Sequence, residues 1–225
     1  MSTALITGAA RGLGAAIARQ LSPTHDLILG GRGSDALDGI AAELGASTFT
    51  AELTDHDAVV AAAEGIDRLD VLVHNAGIGS SLRPVGETPA DEWRRLLEVN
   101  LIAVAELTRV LLPALRAAGG HVVFINSGAG KRANPGWAAY AASKFGLRAL
   151  ADALRLEEPD LRVTSVFPGR IDTDMQRELI AIEGKDYDPT RFLAPTTVAA
   201  AVAQAVRTPA DAHPTEIVLR PTGRR

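Results

Sequence analysis

Short, continuously apolar runs alternate with longer Ala- and Leu-rich stretches along the 225 residues of the chain. The runs are "TALIT" (3–7), "DLILG" (26–30), "STFT" (47–50), "LDVLVH" (69–74), "GHVVFIN" (120–126), "LRVTSVF" (161–167) and "TEIVLR" (215–220). Most lack the in–out alternation of a half-exposed strand, so they predict strands covered on both faces. The stretches between them, at roughly 12–21, 35–44, 55–64, 89–117, 137–157 and 195–206, predict helices. This βαβα rhythm specifies an α/β fold: a doubly wound parallel sheet of about seven strands with helices on both faces, joined by right-handed crossovers. A ligand in such a fold sits beyond the carboxyl ends of the strands, where the strand order switches direction. Residues that do chemistry are therefore expected immediately after strands.

The length suits a single core, and no repeat, low-complexity tract or linker interrupts the rhythm, so one domain over 1–225 is expected. Hydrophobic residues make up 47% and charged residues 22%, a globular composition. A net charge of −4 with no basic run argues against a nucleic-acid surface. Cysteine is absent, which excludes disulfides, thiolate metal sites and cysteine nucleophiles. The five histidines (His25, His56, His74, His121, His213) have no metal-ligand spacing, and no metal site is expected. "MSTALITGAA" has no basic start before its apolar run and does not read as a signal peptide. The longest apolar stretch, 101–115, is broken by Glu106 and Arg109 and is too short to cross a bilayer. A cytoplasmic protein with neither membrane nor nucleic-acid partners is the expectation.

Candidate chemistry begins after the first run. "TGAARGLG" places Gly8, Gly12 and Gly14 at a strand-to-helix turn. Gly8 permits the tight turn, Gly12 lets backbone approach a pyrophosphate, and Gly14 lets helix and strand pack closely, with the helix N-terminus facing the phosphates. The spacing differs from G-x-G-x-x-G, and no G-K-[ST] follows to make a P-loop. After the second run, "LILGGRG" has Gly31 and then Arg32 where an NAD site places a carboxylate for the ribose 2′-hydroxyl. Arg32, with Arg11 inside the glycine turn, suits a 2′-phosphate instead, through charge-assisted contacts of about 1.5–3 kcal/mol each. NADP(H) in preference to NAD(H) is the expected cofactor.

"WAAYAASKFGL" (137–147) sets Tyr140 and Lys144 four positions apart in a helix-forming stretch, one turn from each other on one face. Both residue types are scarce: the chain has two tyrosines and three lysines, Lys131, Lys144 and Lys185. Ser127 ends the fifth run, Asn100 lies in "EVNLIAV", "HNAGIG" (74–79) follows the fourth run and "PGRIDT" (168–173) the sixth. In this order and spacing, together with the glycine turn, these residues resemble the short-chain dehydrogenase/reductase family, in its compact single-domain branch, over 3–222.

The resemblance implies a Rossmann-type, three-layer fold and hydride transfer between NADP(H) and a small carbonyl or alcohol substrate. It implies that Tyr140 is the general acid in reduction and the base in oxidation. Its pKa, ~10 when free, would be lowered by the Lys144 ammonium and the oxidised nicotinamide. Ser127 would orient the substrate oxygen. Lys144 would also hold the nicotinamide ribose, and Asn100 a water linking Lys144 to solvent. Carried over likewise, Glu52 and Leu53 would flank the adenine, Asn75, Ala76 and Gly77 its ribose, and Ile171 and Thr173 the carboxamide. Leu13, Pro168 and Gly169 complete the cofactor-binding set.

The family usually has two asparagines where this chain reads His74–Asn75, which leaves the first one's supporting role open. Glu52 stands where Asp is commoner. The pocket is expected between 78–83, 128–137 and a mobile substrate loop at 174–194. Two alternatives remain beside a small-molecule reductase. One is a 3-oxoacyl-thioester reductase docking an acidic carrier protein through Lys131, Arg132, Arg170 and Arg177. The other is a protein that senses NADP without turnover, against which the complete Asn/Ser/Tyr/Lys set argues. Segment 101–112 is apolar around most of its circumference, and the 137–157 helix presents Ala142 and Phe145 on different sides. Family members pair these two helices across a two-fold axis, so a homodimer or homotetramer is expected.

Overall fold

The structure, a computed structural model, describes residues 2–209 and 211–222. Met1 and 223–225, the outer limits of the expected domain, and Ala210 lie outside the described residues. Seven strands form one sheet: β1 (Ser2–Thr7), β2 (His25–Gly31), β3 (Ser47–Thr50), β4 (Val71–His74), β5 (His121–Ile125), β6 (Arg162–Pro168) and β7 (Glu216–Leu219). Their order is β3-β2-β1-β4-β5-β6-β7, and every neighbouring pair is parallel. Between them run α1 (Gly12–Leu21), α2 (Asp35–Leu44), α3 (His56–Ala63), α4 (Ala90–Leu97), α5 (Ala103–Ala118), α6 (Ala138–Glu157), α7 (Asp174–Ile182) and α8 (Pro195–Arg207).

Successive side chains of each strand enter opposite cores. Ala4, Ile6, Leu27, Leu29, Val71 and Val73 pack under α1, α2 and α8. Leu5, Leu72, Val122 and Phe124 pack under α3, α5 and α6. Both faces are thus covered, which is why the strands read as unbroken apolar runs rather than alternating ones.

Two local differences from the sequence expectation matter for the site. The single helix expected over 89–117 is divided: α4 and α5 are separated by a wider π-helical turn at Glu98–Ile102. The 174–194 segment, expected to be a mobile loop, contains α7. That helix starts where the Thr173 hydroxyl accepts from the Gln176 N–H, and it buries Gln176, Leu179 and Ile180.

Candidate active site

The strand order reverses across β1, which has β2 on one side and β4 on the other, and the crevice above their carboxyl ends is where ligands bind in such sheets. Buried Thr7, at the end of β1, holds that crevice together. Its hydroxyl accepts from the Asn75 and Ala76 N–H groups, each at 3.0 Å. The Asn75 amide in turn donates to Thr7 O at 2.9 Å and Gly8 O at 3.2 Å, so this side chain braces the glycine turn. Gly8 and Gly12 adopt left-handed φ of +64° and +56°, a conformation that favours glycine. At Gly14 a Cβ would lie 2.2 Å from Gly8 O, which enforces the close helix–strand approach.

The N-terminus of α1 is open. Arg11 precedes it with no side-chain cap, and its first turn carries no acidic residue. By contrast α2, α3 and α7 are each capped by Ser34, Asp55 and Thr173. The first N–H groups of α1, at Gly12, Leu13 and Gly14, therefore remain available for a pyrophosphate, and the residues present fit a dinucleotide. Thr173 closes the far side, its methyl 3.5 Å from where a Cβ of Gly12 would stand. Arg11 reaches Asp174 at 3.4 Å and Arg32 reaches Glu52 at 3.9 Å; all four side chains are largely solvent-exposed. A Cβ on Gly31 would stand 3.1 Å from Leu37 Cδ2, a tight contact that asks Leu37 to give by a few tenths of an ångström. Three other residues of the set have neighbours of a different kind. Leu53 packs against the α3/α5/α6 core, Pro168 pairs with Leu219, and Gly169 donates to Leu219 O at 2.8 Å. Ile171 bridges to Leu193 and packs at the edge of the opposite core.

Next to this cradle stand the polar residues singled out after β5 and on α6. The Ser127 hydroxyl lies close enough to the Tyr140 phenol to favour its ionised form. Burial around the phenol raises its pKa from the ordinary value more than the Ser127 hydroxyl lowers it. The depression expected from Lys144 is therefore not present in the protein alone, where desolvation is the largest influence on the phenol and only the Ser127 hydroxyl opposes it. Lys144 is 5% exposed, donates to Ile125 O at 3.1 Å, and lies 5.9 Å from the centroid of the Tyr140 ring. Burial lowers its pKa to about 8, so it remains mostly protonated at neutral pH.

Asn100 sits within the π turn and is buried. Its amide donates to Ile78 O and to Ser143 Oγ, each at 3.1 Å, and its carbonyl accepts from Ile78 N at 2.9 Å. Ser143 relays this contact by donating to Tyr140 O at 2.8 Å. A Cβ on Gly77 would stand 3.0 Å from Asn100 Oδ1 and 3.8 Å from Lys144 Nζ, so the strand-end loop and α6 meet here. Sequence reasoning missed three supports: Thr7, Ser143 and Asn126. Asn126 donates to Lys144 O at 3.1 Å and accepts from Ser127 N at 2.8 Å. Its position immediately before Ser127 was the available signal.

His74 is 3% exposed, stacked on Phe124 with ring centroids 5.0 Å apart, and 2.9 Å from Thr108 Oγ1. Because the Thr108 hydroxyl donates to Val104 O, it accepts from His74 Nε2–H, and the ring is neutral. Burial lowers its pKa to about 3. The residue that replaces the family's asparagine is thus held between the sheet and α5.

An open helix N-terminus over a glycine turn would describe many nucleotide-binding folds. A phenol close to a serine hydroxyl, with a buried ammonium one turn along, narrows the class to Rossmann-fold oxidoreductases. The chain belongs to the short-chain dehydrogenase family, whose model, described as short chain dehydrogenase, matches residues 2–183. It is 36% identical over 236 residues to the glycine betaine reductase ATRR of Emericella nidulans, covering 97% of this chain and 18% of that relative's length. An uncharacterized short-chain type dehydrogenase/reductase of Sinorhizobium fredii is 32% identical, over 98% of this chain and 91% of that one. An alcohol dehydrogenase from the archaeon Thermococcus sibiricus, solved with 5-hydroxy-NADP, superposes with a TM-score of 0.89 at 31% identity, covering 100% of this chain and 98% of that one. No helix among the described residues is long and apolar enough to cross a membrane.

Proposed function

We propose that this chain is an NADP-dependent carbonyl reductase or alcohol dehydrogenase of small molecules, one domain over 1–225, cytoplasmic and homo-oligomeric. The observation that carries the reading is the closeness of the Ser127 hydroxyl to the Tyr140 phenol, with buried Lys144 one turn along, beside the uncapped start of α1. The nicotinamide, when bound, supplies or accepts the hydride. Tyr140 holds the proton that a carbonyl oxygen receives in reduction, and takes the alcohol proton in oxidation. Ser127 hydrogen-bonds the substrate oxygen and orients it. Burial favours the protonated phenol, the form that reduction requires. The Lys144 ammonium stabilises the tyrosinate left after proton transfer and binds the ribose hydroxyls, while Asn100 and Ser143 fix the backbone of α6 at Tyr140. Arg11 and Arg32 serve the 2′-phosphate, which competes with Asp174 and Glu52 for their guanidiniums. The T. sibiricus enzyme's ligand is in keeping with that cofactor.

The carrier-docking alternative is weakened by the charges themselves. Lys131 pairs with Glu216, Arg170 with Glu183, and Arg177 lies 3.6 Å from Asp172. The test is NADPH and NADH oxidation by purified protein over aldehydes, ketones, 3-oxo esters and acyl thioesters. Turnover of free carbonyls is expected, with kcat/KM for NADPH at least about thirtyfold above that for NADH. Turnover confined to thioesters would establish the carrier-dependent reading, and NADPH binding without any turnover the sensing one. Equal use of both cofactors would remove the role of Arg11 and Arg32.

A further inference from the structure

A cavity of about 510 Å³ opens between segment 79–81, α4 and α7, lined among others by Gly79, Ser81, Glu92, Met175, Leu179 and Ile182. It begins two residues beyond Gly77, where the strand-end loop meets Lys144 and Asn100. Its wall toward α7 carries Met175, Leu179 and Ile182 beside Glu178, with Met175 and Leu179 3.6–3.7 Å from where a Cβ of Gly79 would stand. On the α4 side it is lined by Asp91, Glu92 and Arg95, and Glu92 ties α4 to the facing segment. The Glu92 carboxylate accepts from both the N–H and the hydroxyl of Ser81, each at 2.7 Å.

The next residue, Leu82, has φ +61°, the one non-glycine in the left-handed region among the described residues. Such strain persists only where its surroundings over-determine it. Here the surroundings are Glu92 on one side and Gly136 on the other. Gly136 has φ +79°, and a Cβ on it would stand 2.5 Å from Leu82 O. Gly136 immediately precedes Trp137, whose ring meets Tyr140 edge-on with centroids 5.6 Å apart. The two loops that flank the proposed substrate pocket therefore touch backbone to backbone, and Glu92 fixes one of them.

We infer that Glu92 is a positioning residue for substrate selection: through Ser81 and Leu82 it sets the mouth of the cavity, opposite the apolar side chains of α7, and the loop that leads to Tyr140. Resting on the carbonyl-reductase reading, this assigns the cavity to an apolar group carried beyond the carbonyl. Ketones with an aryl or long alkyl substituent depend on Glu92, whereas propanal, too small to fill the cavity, does not.

The test compares wild type with Glu92→Ala and Glu92→Gln. Glutamine preserves both contacts, since its Oε1 accepts from the Ser81 N–H and its Nε2 donates to Ser81 Oγ. For Glu92→Ala, KM for an aryl ketone should rise about tenfold or more. Its kcat/KM for propanal and its KM for NADPH should stay within about twofold, and Glu92→Gln should recover most of the loss. Amide hydrogen exchange on the cofactor-free proteins should quicken in Glu92→Ala at both 78–83 and 134–137, with α5 unchanged. Equal losses on both substrates, a glutamine variant as poor as alanine, or unaltered exchange at 134–137 would each overturn the inference. If the wild type reduces no carbonyl, the functional reading fails by itself, and the exchange data still decide whether Glu92 tethers the loops.

Discussion

Histidine 74 shows how one residue's surroundings decide its chemistry. An imidazole at the end of a strand beside a nucleotide site invites a catalytic reading, yet this one is stacked on Phe124 and bonded to Thr108. Its pKa near 3, like that of buried His121, makes acid sensitivity a consequence of the fold. Both folded-state values lie below the ordinary value of 6.5. Between about pH 6.5 and pH 3 the unfolded chain binds protons that the native protein does not, and stability falls as pH falls. Each histidine should remove about 2 kcal/mol between pH 7.5 and pH 5. Urea unfolding at these two pH values should show a drop smaller by about that amount in His74→Asn. An unchanged drop would mean that His74 is protonated in the native state. Helix pitch put Tyr140 and Lys144 on one face and a strand end marked Ser127, but Asn100 and the joint role of the four were legible only through the resemblance to the short-chain dehydrogenase/reductase family. Thr7, Ser143 and Asn126 were not, because they act by bonding backbone atoms, and small polar residues do so throughout any chain.

At the scale of elements, the strands were legible because each is buried on both faces, leaving an unbroken apolar run. The division of 89–117 was not, because the apolar pattern passes through the π turn without a glycine or proline to mark it. That turn nevertheless aims Asn100 inward at Ile78 and Ser143. Helix α7 was missed because its buried positions include Gln176 among charged neighbours, so its apolar stripe is short. The same elements carry the expectation of self-association. Ile102 and Phe145 remain 45% and 43% exposed. A Cβ on Gly146 would stand 2.7 Å from Leu101 Cδ2, so these two apolar residues come from adjoining stretches of the π turn and α6. A second copy covering them would bury both. Sedimentation velocity at micromolar concentration should give a dimer or tetramer for the wild type, shifted toward monomer in Phe145→Glu. A wild type that sediments as monomer would contradict the pairing.

For the molecule as a whole, the sheet separates two cores and leaves its carboxyl edge for function. Along that edge the loops after β1, β4, β5 and β6 converge from distant parts of the chain. The βαβ rhythm made this convergence legible in the sequence, since parallel strands must all deliver their ends to the same side. What it left open was how the walls of the pocket are held, which depends on contacts such as Glu92 with Ser81 and Leu82 with Gly136. The fold's purpose, in this reading, is to bring one phenolic proton to a carbonyl beside a bound nicotinamide. The kcat of Tyr140→Phe, measured alongside its affinity for NADPH, tests that most directly. Loss of the hydroxyl alone should lower kcat by about 10²–10⁴-fold, with the NADPH Kd within about threefold of wild type. A variant that binds NADPH normally and keeps near-wild-type kcat would show that the proton comes from elsewhere.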